Sequence, residues 1–291
     1  MLWTRYHRAA NLTDALQALA GCPGQACVVA GGTDLLLDMQ QGRHEPVHTL
    51  VDVTSVPEMG MLEVRQGLLF IGAGAPLNHI VQSPLVRQHA QALVEACDLI
   101  GGPQVRNIAT LGGNVAHALP AADGTIALLA FDAQAEIASQ AGLRRAPLLE
   151  LFRGPGKSAL DAPREILVGF YLPLSGPGQA SAFKRVMRPQ GVALPILNMA
   201  CWLARQGEQV TAARLSIGPA GPTPRRLFGV EALLAGRPLD AAALESARQA
   251  VGGEVSFRTS PHRATAAYRQ HLVGSLMEDV LRLAWERAAR A

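Results

Sequence analysis

Aromatic residues are scarce: 3 Trp, 3 Tyr and 7 Phe make up 4% of the 291 residues. So few rings leave little to stack against bases. The net charge of +3 at pH 7 is also too small for a groove that tracks a phosphate backbone. Nucleic acid is therefore not expected as a partner. Cysteine is just as sparse. Cys22, Cys27, Cys97 and Cys201 include no C-x-x-C pair and no His at metal-ligand spacing. An iron–sulfur cluster would need about four clustered thiolates. No metal site is expected on this chain, and scattered reduced thiols suit a cytoplasmic protein. No apolar run approaches the roughly 20 residues of a membrane helix. The opening Met1-Leu-Trp-Thr-Arg-Tyr-His7 lacks the apolar stretch of a secretory signal. The 8 His are dispersed, and none stands at triad spacing from a Ser and a carboxylate. Without an acid–base dyad, no catalytic residue is expected.

What is present is apolar mass and punctuation. Hydrophobic residues at 49% and charged residues at 17% suit a packed core, and the length suits two domains. With 29 Gly and 19 Pro, many tight turns are expected. Thr13 to Ala20 reads as a helix that Thr13 could cap, and Leu35 to Met39 as a second. Helical patterns also cover Leu77 to Ile80, Val86 to Asp98 as one longer helix, and Thr125 to Phe131. Cys27–Ala30, Thr49–Val53, Leu68–Ile71 and Ala135–Ala138 read as strands. Strands and helices mix without regular βαβ spacing, which favours α+β over a doubly wound sheet. Leu174-Ser-Gly-Pro-Gly178 reads as a hinge. Beyond it, Ala180–Val186, Leu197–Ala204 and Ala213–Ile217 read as consecutive strands, and the chain from Leu227 onward as helical.

Two glycine pairs stand out. Val28-Val-Ala-Gly-Gly-Thr-Asp-Leu35 is a strand, a Gly pair, a cap and a helix start. Such a junction leaves backbone N–H groups unpaired at a helix N-terminus, where a phosphate or diphosphate can sit. Glycine permits the close approach, because a Cβ would block it. A plain left-handed turn before a capped helix explains the same residues. Thr110-Leu-Gly-Gly-Asn114 reads as a second loop of the same chemistry. Neither is G-x-G-x-x-G or G-x-x-x-x-G-K-[ST], and Gly72-Ala-Gly-Ala-Pro76 breaks the first pattern with proline. Nicotinamide and P-loop readings are thereby disfavoured.

Ala30-Gly-Gly-Thr-Asp-Leu35 resembles the first FAD loop of the flavin subunits of molybdenum hydroxylases, the xanthine dehydrogenase and carbon monoxide dehydrogenase family. Arg106-Asn-Ile-Ala-Thr-Leu-Gly-Gly-Asn114, followed by Pro120-Ala-Ala-Asp123, is similar to that family's second loop. Glu165-Ile-Leu167, Ser181-Ala-Phe-Lys184, Gly218-Pro-Ala-Gly-Pro-Thr-Pro-Arg225 and Tyr268-Arg-Gln-His-Leu272 resemble its later motifs in the same order. The resemblance implies a two-lobed FAD-binding fold of the vanillyl-alcohol-oxidase/p-cresol-methylhydroxylase type over 1–175, with lobes of about 1–55 and 56–175. A C-terminal domain over 180–291 would hold a three-stranded sheet and helices.

The resemblance also implies noncovalent FAD, a large partner subunit with molybdopterin and a small one with [2Fe–2S] clusters, in a dimer of heterotrimers. Electrons would pass from the clusters through FAD to an external acceptor. By matching positions, Val28, Val29, Ala30, Gly31, Gly32, Thr33, Asp34 and Leu35 would wrap the diphosphate. Thr110, Leu111, Gly112, Gly113 and Asn114 would line the flavin and diphosphate from the other lobe. Asp123 would accept a hydrogen bond from a cofactor hydroxyl, or cap the helix that follows it. Ile100 and Leu167 match apolar positions beside the cofactor. Lys184 matches a flavin-proximal lysine whose charge would raise the flavin's potential. Arg106 and Asn107 would shape the loop or contact a partner. A stand-alone flavin oxidoreductase would need substrate-side acid–base residues, which are not found. A flavin-less assembly subunit would not need the Gly/Thr/Asn/Asp/Lys set.

Overall fold

A computed structural model describes residues 1–189 and 194–290. Its first unit is a small parallel sheet. β1 (Trp3–Arg8), β2 (Ala26–Val29) and β3 (Val47–Asp52) lie in the order β1-β3-β2. Parallel neighbours require crossovers, supplied by α1 (Leu12–Ala20) and α2 (Leu35–Gln40). The cap of α1 is Asn11 rather than Thr13: its Oδ1 accepts from Asp14 N at 2.9 Å. Asp52 ends β3 and ties it to β1, accepting from Tyr6 Oη at 2.6 Å and from Thr54 N at 2.8 Å.

The second unit is an antiparallel sheet backed by short helices. Its strands include β4 (Leu62–Arg65), β5 (Leu68–Gly72), β6 (Gln134–Ser139) and β7 (Gly142–Pro147). After the small pair β8 (Phe152–Gly154) and β9 (Lys157–Ser158), β10 (Ile166–Pro173) returns to the middle, giving the order β4-β5-β10-β6-β7. Three helices follow β5: α3 (Leu77–Gln82), α4 (Pro84–His89) and α5 (Gln91–Asp98). The single helix expected over Val86–Asp98 is thus two. Ser83 and Pro84 start the first piece, Ser83 Oγ accepting from Val86 N at 3.3 Å, and the backbone breaks at Ala90 (φ −142°, ψ 53°). Next come α6 (Pro103–Arg106), α7 (Leu111–Ala116) and α8 (Asp123–Ala130).

The third unit starts with β11 (Gln179–Met187), β12 (Pro195–Gln206) and β13 (Gln209–Gly218), the expected strands, each longer than its pattern indicated. Two short strands, β14 (Arg225–Arg226) and β15 (Arg237–Pro238), also pair with β13. The sheet therefore extends beyond the three strands expected. α9 (Phe228–Leu234), α10 (Ala241–Glu254) and α11 (Ala266–Ala288) complete the chain.

The central strand β12 is buried on both faces, so its sequence runs apolar instead of alternating. Leu197, Met199, Cys201 and Leu203 join the core made with α9, α10 and α11. Ala200, Trp202 and Ala204 join the core of the preceding units. The cover on that side comes largely from α8, in which every residue from Asp123 to Ala130 is buried. Ser216 Oγ donates to Ile126 O at 2.5 Å, fixing α8 against β13.

Candidate cofactor site

Both glycine pairs are drawn to one place. A Cβ added at Gly31 would lie 2.2 Å from Ile108 O and 2.9 Å from Ala109 Cα. The first segment therefore rests backbone on backbone against the residues just before Thr110. Gly32 is required for a different reason: its φ of +66° is left-handed. α2 begins there, with Leu36 N donating to Gly32 O at 3.0 Å. Asp34 stands at the N-cap position but its exposed carboxylate makes no cap bond, so the N–H groups ahead of Leu36 have no side-chain cap. Val28 and Val29 lie in β2, and Ala30 and Thr33 are half-buried beside the turn. Leu35 packs on the cluster of Val29, Met39 and Leu50.

The second segment differs from the expected loop. Thr110 is the N-cap of α7, its Oγ1 accepting from Gly113 N at 3.1 Å. Gly112 N donates to Ala73 O at 2.8 Å, and Asn114 N to Thr110 O at 3.1 Å. The backbone donors of Gly112, Gly113 and Asn114 are thus occupied by Ala73 and by Thr110. A Cβ on Gly112 would lie 2.6 Å from Ala73 O, so glycine lets α7 lie flush on the Gly72–Ala75 turn. Leu111 is fully buried. The amide oxygen of Asn114 turns inward, accepting from Thr125 N at 3.1 Å, and joins α7 to α8. The backbone donors offered to a ligand at this junction therefore come from the Gly31–Leu35 side.

Asp123 sits deeper, 4% exposed, at the first turn of α8. It does not cap that helix: Ala122 holds the N-cap position, with no side-chain cap bond. Instead Arg185 Nη1 donates to its Oδ2 at 2.6 Å and Asn198 Nδ2 to its Oδ1 at 2.5 Å. Burial pushes the Asp123 carboxyl above the ordinary range, while the Arg185 charge and the two hydrogen bonds work against that push. Two polar atoms of this cluster, Arg185 Nε and Asn198 Oδ1, are buried with no hydrogen-bond partner among the described residues.

The remaining residues are more dispersed. Leu167 is buried on β10 beside a register shift at Leu167/Gly169. Ile100 is half-buried at the end of α5, in a turn that Arg106 braces by donating to Gly101 O at 2.9 Å and pairing with Asp98 at 3.3 Å. Lys184 lies on the other face of β11 from Arg185, half-exposed, with Nζ 3.6 Å from Asp279 Oδ2 of α11. The cation that reaches Asp123 is thus Arg185. Sequence reasoning missed both Arg185 and Asn198. The usable signal was strand alternation: with Lys184 on one face, Arg185 must take the opposite one.

A family described as "FAD binding domain in molybdopterin dehydrogenase" matches residues 3–175, and "CO dehydrogenase flavoprotein C-terminal domain" matches residues 181–284. The xanthine dehydrogenase FAD-binding subunit of Escherichia coli O157:H7 is 33% identical over 279 residues, 95% of this chain and 94% of that protein. The carbon monoxide dehydrogenase medium chain of Hydrogenophaga pseudoflava is 28% identical over 98% of both chains. A solved structure of carbon monoxide dehydrogenase from Hydrogenophaga pseudoflava superposes with a TM-score of 0.91 at 26% identity, covering 97% of both chains.

Proposed function

This chain belongs to the family of FAD-binding medium subunits of xanthine and carbon monoxide dehydrogenases, and we propose that it serves a molybdenum-containing hydroxylase in that capacity. In this reading a large partner carries molybdopterin and a small partner carries [2Fe–2S] clusters. The chain stands between those clusters and an external acceptor, in a cytoplasmic dimer of heterotrimers. The observation that carries it is the contact of Gly31 with the backbone at Ile108 and Ala109, which brings both glycine pairs to one junction.

The residues fit the cofactor. Uncapped N–H groups at the start of α2 suit a diphosphate. The unpartnered Arg185 Nε and Asn198 Oδ1 are a donor and an acceptor, which suit a hydroxyl. When bound, FAD supplies a ring that takes up and releases electrons. In this assignment Val28 to Leu35 wrap the diphosphate, with Gly31 to Leu35 supplying the backbone donors. Thr110 to Asn114 form the facing wall, with the exposed Gly113 keeping it flat. Asp123 orients a hydroxyl, and Ile100 and Leu167 exclude water. No Cys or His is assigned to a flavin-linking position, so the cofactor is held noncovalently.

Purification of the native complex tests this. The expected outcome is a flavin spectrum that acid precipitation releases into the supernatant, with molybdenum and iron in stoichiometric partner chains. A colourless chain, or one purified alone from its source, contradicts the proposal.

A further inference from the structure

We propose that Arg185 and Asn198 are positioning residues for Asp123, so that cofactor retention depends on the C-terminal sheet. The inference rests on the reading of the chain as an FAD-binding subunit.

The argument begins with placement. Asp123 belongs to α8, within the stretch matched to the FAD-binding domain, whereas Arg185 and Asn198 are cross-strand partners on β11 and β12. Each oxygen of the carboxylate receives one hydrogen bond from that sheet. Asn198 also donates to Ala121 O at 3.1 Å, fixing the backbone that leads into Asp123. The side chains of Asp123 and Arg185 are 4% and 5% exposed, and Asn198 is fully buried. A carboxylate this deep needs a counter-charge to stay ionised, and Arg185 is the cation bonded to it. Its guanidinium also holds one orientation, which an ammonium would not.

A second observation points to a ligand. Here Arg185 Nε and Asn198 Oδ1 are buried and unpartnered. Buried groups of this kind are costly unless something satisfies them. A cofactor hydroxyl brought to Asp123 would enter this same polar cluster, and polyol hydroxyls are plentiful on a dinucleotide. Helix capping does not explain the arrangement, because Asp123 makes no cap.

The test is FAD titration of the full-length apo chain by flavin fluorescence, with unfolding followed with and without FAD. Arg185→Met is expected to raise the FAD Kd at least tenfold, about 1.4 kcal/mol. Arg185→Lys should recover only part of that. On an Asp123→Asn background, Arg185→Met should add less than threefold. An unchanged Kd with a lowered Tm makes the pair a domain staple and overturns the proposal. An equal loss on both backgrounds also overturns it, since Arg185 would not then act through Asp123. Should Arg185→Met not fold, Arg185→Lys and Asn198→Ser carry the same comparison. A wild-type chain that takes no FAD refutes the FAD reading itself, and this inference with it, before any variant is compared.

Discussion

At Gly31 an added methyl has nowhere to go. Its nearest neighbours are backbone atoms of Ile108 and Ala109, which cannot rotate away as a side chain can. Gly31→Ala should therefore force the two glycine segments apart and lower FAD content per chain more than tenfold. At Gly32 the neighbours are the Leu36 and Val29 side chains, and the obstacle is the left-handed backbone. A non-glycine residue there costs about 1–2 kcal/mol, more when β-branched. Gly32→Val should thus lose both stability and FAD, whereas Gly32→Ala should lose stability and keep most of its FAD. Flavin absorbance at equal protein concentration checks all three, and full occupancy in Gly31→Ala contradicts the assignment. The glycines were legible because a G-G pair at a strand–helix junction has few uses. Which glycine answers to contact and which to φ was not legible, since that depends on Ile108, 77 positions away.

At the scale of elements, the second glycine segment shows how tertiary contact overrides propensity. A Gly-Gly pair disfavours helix by about 1 kcal/mol per residue. The segment still starts α7, because Thr110 caps it and Gly112 lies flush on Ala73. Thr110→Ala should cost about 1 kcal/mol of stability, read from the urea midpoint. β2, β3, β5, β6, β11, β12 and β13 were legible from apolar pattern, whereas β1, β4, β7 and β10 were not, and the break at Ala90 followed from a Ser-Pro start that pattern alone hides. In the first sheet, the Tyr6–Asp52 bond makes β1–β3 pairing sensitive to acid. Burial pushes the Asp52 carboxyl up, but bonds from Tyr6 and Thr54 outweigh it and leave the carboxyl below its ordinary range. The same bond pushes the Tyr6 hydroxyl up to about 12. A carboxyl that titrates lower when folded adds stability that is full above its unfolded pKa and lost as pH falls through the folded one. Asp52→Asn should therefore flatten the acid limb of the stability profile between about pH 5 and pH 2. An unchanged acid limb would show that the bond contributes no pH dependence.

Over the whole molecule, 180–291 holds a core of its own between its sheet and α9–α11, while the core of 1–175 continues onto the other face of that sheet. Phe183, Ala200, Trp202 and Ala204 from the later strands sit in one cluster with Leu93, Ile126 and Phe131 from the earlier helices. Polar bonds cross the same contact: Phe183 N donates to Glu95 Oε2 at 2.9 Å, and Ala92 N to Ser181 Oγ at 3.0 Å. Arg226 reaches Leu129 O and Asp132, while Arg287 pairs with Glu95. Apolar periodicity could not foretell this, because it tells which face of β12 is buried but not which element buries it. Expressed alone, 1–175 would expose α8 and the inner face of α5, and each large side chain so uncovered loses about 1.5–3 kcal/mol of burial. We expect that fragment to be insoluble or to lack cooperative unfolding. A chain nicked within Ser175–Gly178 should behave otherwise. That turn is held by Arg205 N donating to Gly178 O at 2.8 Å, and the core contact does not need the covalent link. The nicked halves should co-elute in gel filtration and melt in one calorimetric transition. Two separated transitions, or a soluble 1–175 with native-like melting, would mean that the contact is a docking surface between independent domains and not a shared core.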